Sequence, residues 1–478
     1  MGFSAPAALT STQTLPHTWL NYIISGLHTV FDHGIEPDYF TYPLVFEGLV
    51  DFNQYKLLGV SLYNGLVFAD SYDTLADAIA DLSATGGMVI LGPKEYTLTS
   101  TLDLSAGDTK TNVLLVGMGP ASKLTASGSF TGTRLVALSA KTGVYRQRMG
   151  VYNLSIDTQG TDSLIGIDCA NTEDSYISGV YFQDDSSSLS KAINLNECSR
   201  AVITHCDITQ YYYGIYKELV SAGTVGHGPT GPDLHYHISD NIIHNCTAGG
   251  IHMVPPAEMM VITNNVIESI YATCDGIHLE DSGIYAVRSF IIDCNIIAGI
   301  ATTAHKHGIY IKISSASATS NNREYSISNN VIRFASEHGI YVEGTSLGNM
   351  RTVPIYGNYI YRPKKHGIYL YGYVVGVSVV GNNIFNPNDT STAQTYSGVF
   401  VDGTAANTCR WAQVQNNIVV YSVEDGINQP LAGYDLDALV GGTGVVGKCM
   451  LCFNVCKGTQ YRLLEAANGN TVESNIGP

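Results

Sequence analysis

Ile327-Ser328-Asn329-Asn330-Val331-Ile332 is the stretch whose reading decides the fold, because its pattern returns along most of the chain. A turn-forming residue precedes two apolar residues, and a third apolar residue stands a few places earlier. Copies occur at Asn153-Leu154, Gly179-Val180, Asp207-Ile208, Asn241-Ile242, Asn265-Val266 and Asn295-Ile296. They resume at Asn330-Val331 and continue through Asn358-Tyr359, Asn383-Ile384, Asn417-Ile418, Asn454-Val455 and Asn475-Ile476, which makes twelve. A second phrase falls between them, at Gly166-Ile167, Gly214-Ile215-Tyr216, Gly250-Ile251-His252, Gly276-Ile277-His278, Gly308-Ile309-Tyr310, Gly339-Ile340-Tyr341 and Gly367-Ile368-Tyr369. Echoes of it stand at Ala192-Ile193-Asn194, Gly398-Val399-Phe400 and Gly426-Ile427-Asn428.

Each phrase is short, β-branched and punctuated by Gly or Asn, so each reads as a strand beside a turn, and two alternating phrases predict two strands per repeat. The interval between copies runs from 21 residues (Asn454 to Asn475) to 37 (Asn417 to Asn454), which suits a solenoid with loops of varying length rather than a fixed helical repeat. Asn tolerates the left-handed backbone of a tight corner, and its amide can bond the same amide one coil above, so an asparagine ladder is expected.

This alternation resembles the right-handed parallel β-helix of the pectin-lyase-like superfamily over about residues 86 to 478. The fold expected is therefore all-β, a right-handed parallel β-helix of about twelve coils. Asp73-Thr74-Leu75-Ala76-Asp77-Ala78-Ile79-Ala80-Asp81-Leu82 reads as a helix with Leu75, Ile79 and Leu82 on one face, placed to cap the open end of the solenoid. Gly86-Gly87-Met88-Val89-Ile90-Leu91, Tyr96-Thr97-Leu98 and Asn112-Val113-Leu114-Leu115-Val116-Gly117-Met118-Gly119 follow it. That order is similar to the opening of phage tailspike and pectate-lyase-like domains, which implies a phage tailspike or tail fibre, a homotrimer in the virion tail that acts outside the cell on bacterial surface polysaccharide.

Two domains are expected, 1–69 and 70–478. In the first, Trp19, Ile23, Leu27 and Val30 lie on one face of a helix that Thr14 caps and Gly34 stops. Ile35 to Ala69 reads as short antiparallel strands with Asn64-Gly65 as a hairpin turn. The family likeness makes this module an attachment to the phage tail or baseplate and a site of oligomerisation. Longer inserts between Tyr216 and His237, Ile313 and Tyr325, and Phe385 and Ser397 are expected to border a binding groove.

With 24 basic and 41 acidic residues the net charge is −17, which argues against a nucleic-acid surface. Met1-Gly2-Phe3-Ser4-Ala5-Pro6 shows no signal peptide pattern, and no stretch of 18 apolar residues spans a membrane. The ten cysteines sit mostly within strand and turn phrases and read as buried packing, Cys449-x-x-Cys452-x-x-x-Cys456 included.

Strand side chains alternate, so an inward Ile places its neighbours outward. Tyr216, His252, His278, Tyr310, Tyr341, Tyr369 and Phe400 then form one outward column, and Glu218, Val254, Glu280, Lys312, Glu343, Tyr371 and Asp402 the next. The plain reading is an aromatic stack that steadies neighbouring coils, with a surface charge ladder beside it. The functional reading is a carbohydrate groove in which Tyr216, His252, His278, Tyr310, Lys312, Tyr341, Tyr369 and Tyr371 bind and stack sugars. Hydrolysis of a glycosidic bond needs one carboxylate that holds a proton and one that is ionised. Glu280 and Glu343, two coils or roughly 9.6 Å apart, are the candidate pair, with Asp281 as substitute.

His307, His338 and His366 each precede the Gly of their phrase, one coil after Asp275 begins the same column. Three imidazoles along one axis make a poor tetrahedral cage, so a structural ladder is favoured over a metal site. No cofactor or metal is expected. The likeness of Asp275 and His307 to the Asn-Thr-Asp and Gly-His-Gly strands of polygalacturonases stops at those residues, because the Asp-Asp pair between them is missing. The Trp-Ile-Asp-His strand of pectate lyases is not found either, so a hydrolase is preferred to a calcium-dependent lyase. A non-catalytic receptor-binding or structural fibre is the alternative, and a non-phage carbohydrate-active enzyme the third.

Overall fold

The structure is a computed structural model that describes residues 65–139, 146–185, 189–196, 198–217, 235–254, 259–268, 273–280, 289–299, 305–313, 324–344, 350–351, 353–388, 396–403, 409, 411–422, 434–438, 450–452, 454–457, 463–464 and 471–473. All of them lie in one compact unit, Asn64–Pro478. Each complete coil carries three parallel strands, not two, because the stretch that opens the sequence analysis is itself two strands with a corner between them. Glu324–Ser328 pairs with Ser289–Asp293 on the rung before and with Pro354–Tyr356 on the rung after. Past the corner, Val331–Arg333 pairs with Ile296–Ala298 and Tyr359–Tyr361. The Gly-Ile phrase is the third face, where Ile309–Ile313 pairs with Asp275–Glu280 and Ile340–Gly344.

Among the described residues the first face holds fifteen strands. Twelve precede the phrases read from sequence, and Leu66–Phe68, Gly87–Ile90 and Val113–Val116 add three rungs that carry no such phrase.

At the corner, two tasks assigned to one Asn are divided between consecutive residues. Asp240, Asn264, Cys294, Asn329, Gly357, Gly381 and Asn416 take the left-handed backbone, with φ between 52° and 67°. The residue that follows each of them turns its amide inward. Asn330 is fully buried; its Oδ1 accepts from the backbone N and the Nδ2 of Asn295, both at 3.0 Å. Its own Nδ2 donates to Ile292 O and to Asn358 Oδ1, also at 3.0 Å. Every polar atom of that side chain is satisfied without water, which is what burial of an amide requires. The ladder runs through Asn241, Asn265, Asn295, Asn330, Asn358, Asn382, Asn417 and Asn454. Asn382 rather than Asn383 is its member, since Asn383 pairs with Tyr359 and Ile418 on the strand beyond the corner. Likewise Cys206, not Asp207, occupies the rung before Asn241 and donates its N–H to Asn241 Oδ1 at 3.0 Å.

The Gly of the second phrase is selected by close approach rather than by backbone angle. A Cβ on Gly308 would lie 2.4 Å from Ile332 Cγ2 and 2.7 Å from Gly339 O. Gly276, Gly339 and Gly367 face Ile297, Ile360 and Ile384 in the same way, each at 2.5 Å. The core is thus columns of isoleucine, among them Ile277, Ile309, Ile340 and Ile368, all fully buried. Among the described residues no cysteine is in a disulfide; seven are buried, Cys456 is half-buried and Cys294 is exposed. Cys449 lies outside the described residues.

The cap helix is Leu75–Asp81, with Thr74 accepting from Asp77 N at its start and Leu75, Ala78 and Ile79 buried. Lys110 closes its other end by donating to Ala80 O at 3.0 Å and to Leu82 O, a cation at the negative pole of the helix. Leu66–Phe68 pairs in parallel with Met88–Ile90, so this part of the stretch expected to be antiparallel is the first rung of the solenoid. The expected helix around Trp19, the strands from Ile35 to Asn64 and most of the three inserts lie outside the described residues, as does Asn475. No described helix is long and apolar enough to cross a membrane.

Candidate functional site

The third face brings the predicted columns into register. Tyr216, His252, His278, Tyr310, Tyr341, Tyr369 and Phe400 occupy successive rungs. Beside them run Glu280, Lys312, Glu343, Tyr371 and Asp402. The aromatic column is a stack of rings on rings: Tyr310 and Tyr341 are 4.9 Å apart at 4°, and Tyr341 and Tyr369 5.0 Å apart at 9°. Tyr341 is thus covered on both faces by Tyr310 and Tyr369, and Tyr369 also meets Phe400 at 5.3 Å and 21°. What they turn outward is ring edges and hydroxyls. Tyr216 is only 9% exposed and lies between the Lys191 ammonium, 4.0 Å from its ring centre, and His252, so it is closed to a ligand. Tyr371 stands off this stack, its ring tilted 44° to Tyr369.

The hydroxyls and carboxylates form a polar edge along the stack. Tyr310 donates to Glu343 Oε2 at 2.6 Å, and Tyr369 donates to Asp402 Oδ2 at 2.8 Å. Lys312 Nζ lies 2.5 Å from Glu280 Oε1. His278 stands between two carboxylates, its Nδ1 2.9 Å from Asp275 Oδ2 and its Nε2 3.5 Å from Glu280 Oε2. Burial acts to lower the His278 pKa, but Asp275 and then Glu280 outweigh it, and the net shift is upward. His278 and then Lys312 bring Glu280 down to about 2. His252, 4.5 Å from the His278 ring, is pulled to about 4 by burial and by that neighbouring charge, and so is neutral. Glu280 is therefore ionised at neutral pH and holds no proton to donate. Glu343, the other member of the candidate pair, stands two rungs away across Lys312. Asp281 lies outside the described residues.

His307, His338 and His366 form the ladder expected, with rings 5.2 Å apart at 10° and 8°. Each Nδ1 accepts a backbone N–H from the next rung: His338 N at 3.3 Å, His366 N at 3.2 Å and Ser397 N at 2.8 Å. Asp275 Oδ1 begins the series by accepting from His307 N at 3.2 Å. Burial holds His307 at about 4 and His366 at about 3. His307, His338 and Glu337 do bring possible ligand atoms within 4.8 Å of one another. The tautomer opposes a metal there. An Nδ1 that accepts an N–H leaves the proton on Nε2, the atom a metal would need, whereas ligating histidines donate from their second nitrogen. Glu337 is also within 3.1 Å of Lys365 Nζ.

Three residues of the site were missed in the candidate set. Asp402 was visible in the outward column but had no partner in view, and its partner Tyr369 is one rung away. Asp275 stands in the sequence as the head of the histidine column and in the polygalacturonase likeness, while its second oxygen holds His278. Glu337 carries no periodic signal.

The family described as right handed beta helix region matches residues 166–429, and the chain belongs to that family. No curated protein matches the sequence. Among solved structures the chain is similar to tailspike protein 3 of bacteriophage CBA120, with 15% identity, TM-score 0.59, and 97% of this chain and 69% of that one covered. It is similar also to the A-module of mannuronan C-5 epimerase AlgE4 of Azotobacter vinelandii, at 14% identity and TM-score 0.54, covering 85% and 99%. DFA-IIIase from Arthrobacter chlorophenolicus A6 without its lid gives 11% identity and TM-score 0.51, covering 86% and 99%. At these identities the likeness is one of fold.

Proposed function

We propose that the protein is a phage tailspike or tail fibre that binds and hydrolyses a bacterial surface polysaccharide along the third face. The observation that carries this is the open polar edge in which Glu280, ionised against Lys312 and His278, stands two rungs from Glu343. Two rungs are about 9.6 Å, near the upper end of the separation that inverting hydrolysis uses for a water between its carboxyl groups. Glu280 acts as base on that water and Glu343 as acid to the leaving oxygen, with Lys312, His278 and Tyr371 positioning the sugar. Residues 1–63, which precede the solenoid unit, serve as the attachment module, and three chains assemble in the virion. The family fold supports a carbohydrate-active reading, and the tailspike among the structural neighbours favours phage origin over the other settings of this fold.

A non-catalytic fibre is the second reading, favoured by the mutual stacking of the rings, which rigidifies a rod whether or not it cuts. Mass spectrometry of host capsule or O-antigen after incubation with wild type, Glu280→Gln and Glu343→Gln separates the two. The hydrolase reading expects discrete oligosaccharides from wild type alone. Unsaturated ends would indicate a lyase, and intact polymer across a broad host panel would sink catalysis.

A further inference from the structure

We infer that Asp275 is a positioning residue for the hydrolysis proposed above: it replaces one histidine of the buried ladder and uses the oxygen this leaves spare to fix the His278 ring against Glu280. The inference rests on that catalytic reading. His307, His338 and His366 each use Nδ1 to accept the backbone N–H of the next rung. Asp275 does the same with Oδ1, which accepts from His307 N at 3.2 Å. The rung before carries only Gly249 at this place. The ladder therefore accounts for an acceptor at residue 275, and an imidazole would have met that need. A carboxylate adds a second acceptor, and its Oδ2 lies 2.9 Å from His278 Nδ1, three residues along the same strand.

That contact decides which way the ring faces. With Nδ1 tied to Asp275, Nε2 faces Glu280 Oε2 at 3.5 Å, the outer limit of a hydrogen bond. Among the described residues the titratable groups around His278 come from three rungs. Asp275 and Glu280 share its strand, His252 lies on the rung before with its ring 4.5 Å away, and Tyr310, 4.7 Å away, stands with His307 and Lys312 on the rung after. Lys191 bears on His252, and Lys306 on Asp275. Burial opposes a charged ring at His278, and Asp275, nearer than Glu280 and more deeply buried, does most to overcome it. The His278 charge is in turn the largest of the causes that hold Glu280 low. A buried carboxylate thus reaches the proposed base through a single ring.

The test uses the full-length protein with 15N-labelled histidine, the His278 signal being assigned through His278→Gln. In wild type His278 is expected to titrate above the ordinary histidine value. Asp275→His restores the ladder acceptor and removes the carboxylate. Its melting temperature is expected to stay close to wild type while the His278 midpoint falls and the acid limb of polysaccharide cleavage moves to higher pH, with cleavage near about pH 5 down about tenfold. Asp275→Asn, which also keeps an acceptor for His307 N, is expected to move both in the same direction. A cleavage profile that stays at the wild-type pH in these folded variants, whatever their melting temperature, overturns the inference and leaves Asp275 a rung of the ladder. A wild-type His278 that titrates at or below the ordinary value overturns it as well, and that measurement needs no variant to fold. Wild type that cleaves no polysaccharide sinks the catalytic reading instead, and a lowered His278 midpoint in Asp275→His would still show that Asp275 holds the ring.

Discussion

Tyr310 reaches across one rung to Glu343 and donates its hydroxyl at 2.6 Å, so the ring that locks the aromatic stack also sets the direction of the carboxylate beside it. Tyr310→Phe separates the two roles. The stack is kept, and unfolding free energy is expected to change by no more than about 1 kcal/mol, the usual value of one hydrogen bond. Polysaccharide cleavage is expected to fall about tenfold or more as Glu343 loses its orientation. A fall in stability with unchanged cleavage would assign the hydroxyl to structure alone.

The ion pair of Glu280 and Lys312 has a pH signature. Glu280 is held at about 2, below the ordinary glutamate value, so its pairing contributes stability above that ordinary value and loses it as pH falls toward 2. Lys312→Met removes one of the two partners that hold it down. Its melting temperature is expected to lie below wild type at neutral pH, and the difference to close in acid; a difference that does not vary with pH would point to lost packing.

Close approach at Gly308 gives a steric prediction. Gly308→Ala puts a methyl 2.4 Å from Ile332 Cγ2 with the backbone of Gly339 behind it, and is expected to destabilise by about 1–3 kcal/mol in urea unfolding. Ile332→Ala in the same chain removes the struck methyl, so the double variant is expected to lose less than the sum of the two single changes.

Asn330→Ala opens the amide ladder at its middle. The backbone N–H of Asn295 loses its acceptor, its Nδ2 loses one and keeps Ile262 O, and Ile292 O loses a donor, each buried group costing about 1–3 kcal/mol if left unsatisfied. Asn329→Ala, one residue earlier, affects the left-handed corner at φ 52° and is expected to cost less, about 1 kcal/mol. Equal losses in thermal unfolding would contradict the division of tasks between the two residues.

The histidine ladder is predicted to be neutral and metal-free. His307 and His366 sit at about 4 and 3, below the value of an unfolded chain, so the unfolded state takes up more protons and stability falls as pH drops from about 6.5 toward 4. Above that window these groups add no pH dependence. Micromolar zinc is expected to leave the melting temperature unchanged; a rise that grows with zinc concentration would show that the folded state binds it and would overturn the tautomer argument.

The chain by itself determined the strand type, the place of each corner and the inward isoleucines, because alternation and turn chemistry are properties of a few consecutive residues. The corner at Asn329-Asn330 and the inward Ile309 follow from a few consecutive residues, whereas Gly308 answers to Ile332 and Gly339 O. The third strand of each coil was hidden inside a phrase that looked like one unit, since a sharp corner at Asn329 leaves no gap in the apolar pattern. Only the tertiary structure decided that Asn382 rather than Asn383 joins the ladder, that Tyr341 is covered on both faces, that Glu280 meets Lys312 and that Tyr369 donates to Asp402. These outcomes depend on the residue one rung away, and the loop between rungs sets which residue that is. Loop length carries no periodic signal, so the chemistry of the edge appears only when the coils are stacked.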